Sequence, residues 1–98
     1  MDAAFASEAF DWDRNNVQKI WQKHRGKFSE AEEVFFDERV KIMPDSPHSE
    51  TELRQLALGQ TRTGRNLFVV FTERRGKIRV ISARDMHRKE RAIYEQAD

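Results

Sequence analysis

The stretch at residues 66–84 reads NLFVVFTERRGKIRVISAR and carries the clearest structural pattern in the chain. Its first half predicts a strand over Asn66–Arg74, because the run Leu67–Phe71 is apolar throughout and fits the centre of a sheet that is covered on both faces. Its second half predicts another strand over Lys77–Arg84. Only Arg75-Gly76 lies between the two, and a two-residue connection with glycine is typical of a β-hairpin. The stretch therefore predicts neighbouring antiparallel strands.

Strict alternation predicts which side chains share a face of these strands. On Lys77–Arg84, one face is expected to carry Ile78, Val80, Ser82 and Arg84, and the other face Arg79, Ile81 and Ala83. A further strand over Leu53–Thr61, joined to Asn66–Arg74 by a hairpin at Thr63-Gly64, is expected to place on one face Arg54, Leu56, Leu58, Gln60 and Arg62. Arginine side chains are therefore expected to project from the sheet itself.

Upstream of these strands, the apolar spacing predicts two helices. The first runs from an N-cap at Asp13 to a stop at Gly26. Its buried face follows the i, i+3, i+4, i+7 spacing in Val17, Ile20, Trp21 and His24. The second begins with a capping box formed by Ser29 and Glu32, and its buried stripe is Ala31, Val34 and Phe35.

Three shorter elements complete the chain. Phe10–Trp12 is expected to be a short strand or an anchor on the core, and Arg39–Met43 is expected to be a strand ended by Pro44. A final helix is expected after a cap at Asp85, with one face formed by Met86, Ile93 and Ala97. Residues 1–9 are expected to be a flexible tail and residues 10–98 a single domain. The predicted fold class is α+β: two N-terminal helices, an antiparallel β-sheet meander and a C-terminal helix.

The composition restricts the class of protein. With 98 residues the chain has room for one modest core and for no separate cofactor domain. It contains no cysteine, which excludes disulfides, thiolate zinc sites and a cysteine nucleophile. The opening MDAAFASEAF lacks the features of a signal peptide, and no stretch reaches the ~20 apolar residues of a membrane span. We therefore expect a cytoplasmic protein with no membrane partner.

Charge is unevenly distributed, although the net charge is only +1. Residues 73–91 hold eight Arg or Lys and three acidic residues, whereas residues 28–52 hold eight acidic residues and two basic ones. A basic C-terminal half would attract an anionic ligand. The same pattern also fits two solvated charged faces, and the sequence leaves both interpretations open.

The common motifs of nucleotide-binding and hydrolytic enzymes are missing. There is no Walker loop, GxGxxG, GxSxG or HExxH. The histidines His24, His48 and His87 are far apart in the sequence and have no metal-ligand spacing. We therefore expect neither a metal ion nor a cofactor.

The candidate catalytic residues are three arginines, a serine and a histidine. Arg54, Arg79 and Arg84 are expected on strands, and their guanidinium groups are suited to clamping a phosphate and stabilising a pentacovalent transition state of RNA cleavage. Ser82 is placed to hold a phosphate oxygen. His48, in a loop before a strand, is a candidate general acid or base. The alternative is that the arginines only pair with acidic residues and that the histidine faces solvent.

The sequence resembles the BrnT family of small toxins over residues 10–95, nearly the whole chain. FDWD at 10–13 resembles the family's FEWD opening, and residues 23–35 resemble its KHG…FEEA…VF stretch. Residues 45–54 are similar to its D..HSE.E.R segment, and the positions of Gly59, Gly64-Arg65 and Val69 are similar to its hairpin pattern. The most specific piece is RVISAR at 79–84 followed by ER at 90–91 and YE at 94–95.

This resemblance implies a RelE-like fold and a toxin that cleaves RNA without a metal ion and slows translation. It also implies a cognate antitoxin of ribbon-helix-helix type, which blocks the toxin and is its only link to operator DNA. The expected RNA contacts are Arg62, Arg65, Arg74 and Arg88. The chain departs from the family pattern at Asn16, where relatives have lysine, and at Ile20, where they have asparagine. Its glycine is Gly26 rather than the residue after His24.

The last strand and helix are the expected antitoxin-binding surface, because an acidic or amphipathic segment would find complementary charge there. Arg88 and Arg91 would supply that charge, and Met86 and Ile93 would supply an apolar anchor. Alternatively, the two apolar residues belong to the core. The alternative function for the whole protein is a non-enzymatic nucleic-acid- or protein-binding module.

Overall fold

The computed structural model describes residues 10–11, 28–45 and 53–96 of the chain. Two helices and four strands lie in these ranges: α1 (Phe28–Val34), β1 (Lys41–Pro44), β2 (Arg54–Gln60), β3 (Asn66–Arg74), β4 (Lys77–Asp85) and α2 (Arg88–Glu95). The strands form one antiparallel sheet in the order β1-β2-β3-β4. The predicted α+β class, meander and C-terminal helix are confirmed. The helix expected between Asp13 and Gly26 and the tail at 1–9 lie outside the described residues.

Cross-strand pairing defines two faces of the sheet. We call one the α1 face, which carries the row Ala57, Val69 and Ala83, and the other the α2 face, which carries the row Leu58, Phe68 and Arg84. On the α1 face the strands pack around Ala31 and Val34 of α1. On the α2 face Leu58 packs with Met86 and Tyr94. No helix in the described part of the chain is long and apolar enough to cross a membrane.

β4 does not alternate regularly, so the assignment of its faces from strict alternation is wrong. The consecutive residues Val70 and Phe71 of β3 pair with Ser82 and Val80, respectively, and Ile81 is left as the extra residue of a β-bulge. The alternation is therefore inverted beyond Ile81. A bulge bends the strand locally and re-aims the side chains that follow it.

The bulge changes the grouping of the candidate catalytic residues. Before it, Arg79 pairs with Thr72; after it, Ser82 and Arg84 pair with residues that share a face with Thr72. Strict alternation would have placed Arg79 opposite Ser82 and Arg84. All three instead lie on the α2 face, together with Arg54 of β2, which also pairs with Thr72.

Several predicted element boundaries also need correction. β1 begins at Lys41 instead of Arg39, because the backbone N–H of Arg39 donates to the Asp37 carboxylate at 3.1 Å and holds a turn. Pro44 is the last residue of β1, at the edge of the sheet, where a missing N–H is tolerated. Ser29 lies within α1, so its predicted role as the N-cap is wrong.

The start of α2 differs from the prediction as well. Asp85 is not its cap, because Asp85 still belongs to β4 and pairs with Leu67. The N-cap is His87, whose backbone N–H donates to the Glu90 carboxylate at 2.8 Å. Met86 therefore precedes α2 and is not on a face of it. Ala97 lies outside the described residues.

The segment at Phe10 is anchored on the core, as one of its two interpretations predicted. Phe10 forms an isolated parallel bridge with Ile78, and the N–H of Asp11 donates to the Ile78 carbonyl at 2.8 Å. The Phe10 ring is buried and lies edge-on to Phe35, with ring centroids 5.5 Å apart. This contact places Asp11 beside β4.

Candidate nucleic-acid interface

Three rows of side chains cross β2, β3 and β4 on the α2 face. Successive rows are two residues apart along each strand, which is about 7 Å. We call the first the arginine row, since it consists of Arg54, Thr72 and Arg79. The second row is Leu56, Val70 and Ser82, and the third is Leu58, Phe68 and Arg84.

The arginine row places two cations on either side of a buried hydroxyl. Thr72 is 3% exposed, and its hydroxyl donates to the Leu53 carbonyl at 2.8 Å. Arg54 and Arg79 stand on the strands that flank it, so their Cα atoms are about 10 Å apart. Side chains of this length can converge on one anion above Thr72. Two guanidinium groups would then face the same phosphate.

Arg79 is largely enclosed and lies against a carboxylate. Its Nη1 is 3.5 Å from Oδ2 of Asp11, and its side chain is 17% exposed. The backbone hydrogen bond from Asp11 to Ile78 fixes the carboxylate there. The pair orients the guanidinium, and a contact of this length and exposure binds it only modestly.

Ser82 lies in the second row, one step from the arginine row toward α2. It is half-buried beside Leu56 and Val70, which are also half-buried. Its hydroxyl is one row from Arg79 on the same face of the same strand, because Ile81 is bulged out between them. The structure therefore brings together three of the five candidate catalytic residues, Arg54, Arg79 and Ser82. His48 lies outside the described residues.

The Arg84 side chain connects α2 to the sheet. Its two terminal nitrogens donate to the two carboxylate oxygens of Glu90 at 2.7 and 2.8 Å. Its guanidinium carbon also lies 3.9 Å from the centroid of the Phe68 ring. The hydrogen bond from Arg84 is the main reason that the pKa of Glu90 is below its ordinary value. Arg84 is two rows, or about 14 Å, from the arginine row.

Arg65, an expected RNA contact, is held by two carboxylates instead. Its Nε donates to Asp85 at 2.9 Å, and its Nη1 donates to Glu30 of α1 at 3.1 Å. The hydrogen bond with Asp85 contributes most to raising the pKa of Arg65. Since Asp85 and Glu30 belong to the α1 side of the molecule, Arg65 joins α1 to the end of β4.

The other expected RNA contacts are divided between the two ends of the sheet. Arg62, in the β2–β3 hairpin, and Arg88, at the start of α2, are exposed at one end. Arg74 is exposed at the other end, next to the β3–β4 hairpin. β4 spans nine residues, one of which is the bulged Ile81, so the two ends are about 25 Å apart. The basic run at 73–91 is therefore continuous in sequence but split in space.

The residues expected to bind the antitoxin differ in exposure. Arg88 and Arg91 are exposed, and Ile93 is 40% exposed. Met86 is 8% exposed and packs with Leu58 and Tyr94. The outer surface of α2 is therefore accessible, whereas Met86 lies beneath it.

Two residues on the α2 face, Thr72 and Lys77, were not predicted as site residues. Thr72 gave no signal, because only cross-strand register places it between the two arginines. Lys77 pairs with Arg74 directly across the β3–β4 turn. A two-residue hairpin pairs the residues that flank it, so this neighbour could have been found from the turn alone.

An α+β domain that gathers arginines and a serine on one face of its sheet is suited to binding a phosphate backbone. A family model described as the ribonuclease toxin, BrnT, of type II toxin–antitoxin systems matches residues 12–90 of the chain. The chain belongs to this family and is a ribonuclease toxin of a type II toxin–antitoxin system. A toxin of this class is paired with a cognate antitoxin. No curated protein is similar enough to the chain to count as a match.

Proposed function

We propose that this toxin is a metal-independent endoribonuclease whose reaction centre is the arginine row and Ser82. The observation that supports it is the bulge at Ile81, which puts Arg79 and Ser82 on the same face as Arg54. Cleavage of cellular RNA then slows translation in the cytoplasm. We also propose that the fold is RelE-like, because the resemblance to the BrnT family implies it and the antiparallel sheet with a C-terminal helix is compatible with it.

In the proposed reaction, the 2′-hydroxyl of a ribose attacks the adjacent phosphorus. A bond forms between the 2′-oxygen and phosphorus, and the bond from phosphorus to the 5′-oxygen of the next nucleotide breaks. The proton of the 2′-hydroxyl goes to a general base, and the leaving 5′-oxygen receives a proton from a general acid. His48 is the side chain that we assign to one of these proton transfers, since imidazole exchanges protons near neutral pH.

Arg54 and Arg79 stabilise the additional negative charge of the pentacovalent phosphorus. Each charge-assisted contact is worth about 1.5–3 kcal/mol, which corresponds to roughly ten- to a hundredfold in rate. The Ser82 hydroxyl donates to another phosphate oxygen. The half-buried Leu56 and Val70 beside it offer an apolar floor for the sugar or base.

Two further interactions complete the proposal. RNA beyond the cleaved bond contacts the basic residues at the ends of the sheet, Arg62, Arg74 and Arg88, with a smaller contribution from the occupied Arg65. The cognate antitoxin, of ribbon-helix-helix type, covers the outer surface of α2 at Arg88, Arg91 and Ile93, and the toxin reaches operator DNA only through it.

The proposal is tested with purified toxin and labelled RNA, with and without excess EDTA. We expect cleavage in both conditions, and a roughly ten- to a hundredfold loss of rate in Arg54→Ala and in Arg79→Ala. Lys89→Ala, which removes an exposed cation of α2, is the matched control and should cleave normally. A thermal melt followed by circular dichroism must show that each variant is folded.

Other outcomes would contradict parts of the proposal. Cleavage lost in EDTA and restored by one divalent ion would overturn metal independence. Full activity in both arginine variants would remove the arginine row from the reaction. RNA binding without any cleavage would favour the non-enzymatic binding module instead.

A further inference from the structure

The tip of the β3–β4 hairpin is a compact group of exposed cations. Arg74, Arg75 and Lys77 are consecutive apart from Gly76, and all of them are exposed. Arg74 and Lys77 face each other across the turn and point to the α2 face, like the arginine row. Arg75 and Lys77 form no ion pair with any residue that the structure describes. Neither side chain therefore forms an ion pair that joins the described helices and strands to one another.

The backbone at this tip carries a strained arginine. Arg75 has φ of 55° and Gly76 has φ of 77°, so both central residues of the turn have positive φ, as a type I′ hairpin requires. Asparagine, aspartate or glycine is preferred at the first of these positions. An arginine there costs stability that glycine or asparagine would avoid, because its Cβ crowds the backbone at positive φ. The strain is consistent with a function for the arginine side chain itself.

The tip is continuous with the proposed reaction centre. The Arg74–Lys77 pair is the next row after Arg54, Thr72 and Arg79, and is therefore about 7 Å further along the same face. That spacing is comparable to the separation of successive phosphates in an extended single strand. Flexible side chains on adjacent rows can then contact consecutive phosphates.

We propose that the β3–β4 hairpin tip is a phosphate-binding element that holds single-stranded RNA beside the arginine row. Arg75 and Lys77 bind the backbone outside the cleaved bond, and the RNA strand runs along β3 and β4 toward the tip. The proposal rests on the function proposed above. It adds the path of the substrate and a binding residue, Arg75, whose role is separate from the chemistry.

The test uses the full chain and a single-stranded RNA with 2′-O-methyl groups, which cannot be cleaved by attack of a 2′-hydroxyl. Arg75→Asn removes the cation and supplies a residue that the turn prefers, so the variant should melt at the same or a higher temperature. We expect its RNA affinity to fall by about three- to tenfold, and the slope of log K against log salt to become shallower by about 0.7. Lys77→Gln should also lower the RNA affinity and make the salt slope shallower. Lys89→Gln, an exposed cation of α2, is the matched control and should change neither quantity.

The outcomes distinguish failure of the tip proposal from failure of the proposed ribonuclease function. If the unchanged protein cleaves RNA and Arg75→Asn binds RNA with unchanged affinity and salt slope, only the tip proposal is overturned. If the unchanged protein binds no RNA, both proposals are overturned. If Arg75→Asn weakens binding of the antitoxin and not of RNA, the tip belongs to a protein interface and the proposal is wrong.

Discussion

The hydroxyl of Tyr94 donates a hydrogen bond of 2.5 Å to Oδ2 of Asp37, and this contact joins the two helical layers around the sheet. Tyr94 belongs to α2, whereas Asp37 follows α1 on the other face. The same carboxylate oxygen accepts the backbone N–H of Gln60 at 2.8 Å, just beyond the stretch where β1 pairs with β2. Asp37 thus satisfies a donor of β2 that β1 does not reach, and it also positions α2.

This contact predicts an unusual titration of Tyr94. Burial, followed by the hydrogen bond and the charge of Asp37, raises the pKa of Tyr94 from 10.0 to about 12. Folding therefore favours the protonated hydroxyl, and the resulting stabilisation is complete below pH 10 and is lost as the pH rises through about 12. Tyr94 is the single tyrosine of the sequence, so tyrosinate absorbance reports it directly. In Asp37→Asn the midpoint should move toward 10 but stay above it, because burial remains.

Circular dichroism at each pH is the control for this titration, since unfolding would expose the hydroxyl. A midpoint near 10 in protein that is still folded would show that the Tyr94 hydroxyl is neither buried nor hydrogen-bonded to Asp37.

The Arg84–Glu90 pair predicts that Arg84→Ala lowers the free energy of unfolding by about 1–3 kcal/mol, because α2 loses a bidentate contact to the sheet. The pKa of Glu90 is below its ordinary 4.5, mainly because of Arg84. The stabilisation is therefore present above pH 4.5 and is lost as the pH falls through the lower, folded pKa. Urea unfolding at neutral and at acidic pH should show that the difference between Arg84→Ala and the unchanged protein shrinks in acid.

Lys89→Ala, on the exposed side of α2, is the control and should be close to neutral. A different result for Arg84→Ala, with unchanged stability and lost RNA cleavage, would place Arg84 in the reaction rather than in the docking of α2.

Gly59 marks a close approach between β2 and α1. A Cβ at this position would lie 2.7 Å from Cγ1 of Val34 and 3.0 Å from its carbonyl oxygen. Gly59→Ala should therefore lower the free energy of unfolding by about 1–3 kcal/mol through overpacking. Gly64→Ala is the comparison, because it meets open space and is strained only by φ of 89°. Chemical denaturation should show that truncating Val34 to Ala reduces the loss caused by Gly59→Ala and leaves the loss caused by Gly64→Ala unchanged. A loss at Gly59 that does not depend on Val34 would contradict this account of the contact.

The exposed cations of α2 predict a salt-sensitive antitoxin complex. Reversing the charge at Arg88 and Arg91 to Glu should weaken the complex with the cognate antitoxin, because both side chains are exposed on the proposed interface. Calorimetry at several salt concentrations measures the effect. Charge reversal of Arg62 to Glu, at the β2–β3 hairpin, is the control and should leave the affinity for the antitoxin unchanged. Unchanged affinity in the α2 variant would place the antitoxin elsewhere on the molecule.

The features that were predicted correctly depend on local chemistry. The bounds of β3, Asn66–Arg74, and the two-residue turn at Arg75-Gly76 were predicted correctly, because an apolar run and a turn act over a few neighbouring residues. The α+β class follows from the change between helical and strand spacing. The toxin family can also be recognised from the sequence, because its motifs are contiguous segments such as RVISAR at 79–84.

Which arginines lie close enough to act together depends on long-range pairing and packing. Alternation cannot reveal where a ladder shifts by one residue, so the bulge at Ile81 and the shared face of Arg79 and Ser82 emerged from the register of β3 and β4. Residue spacing in the sequence also cannot distinguish an arginine that is available to a substrate from one that pairs with a carboxylate of another element. Arg65 is held by Glu30, which is 35 residues away. Such partners are set by the packing of α1 and α2 on opposite faces of the sheet, and packing is a property of the whole folded chain.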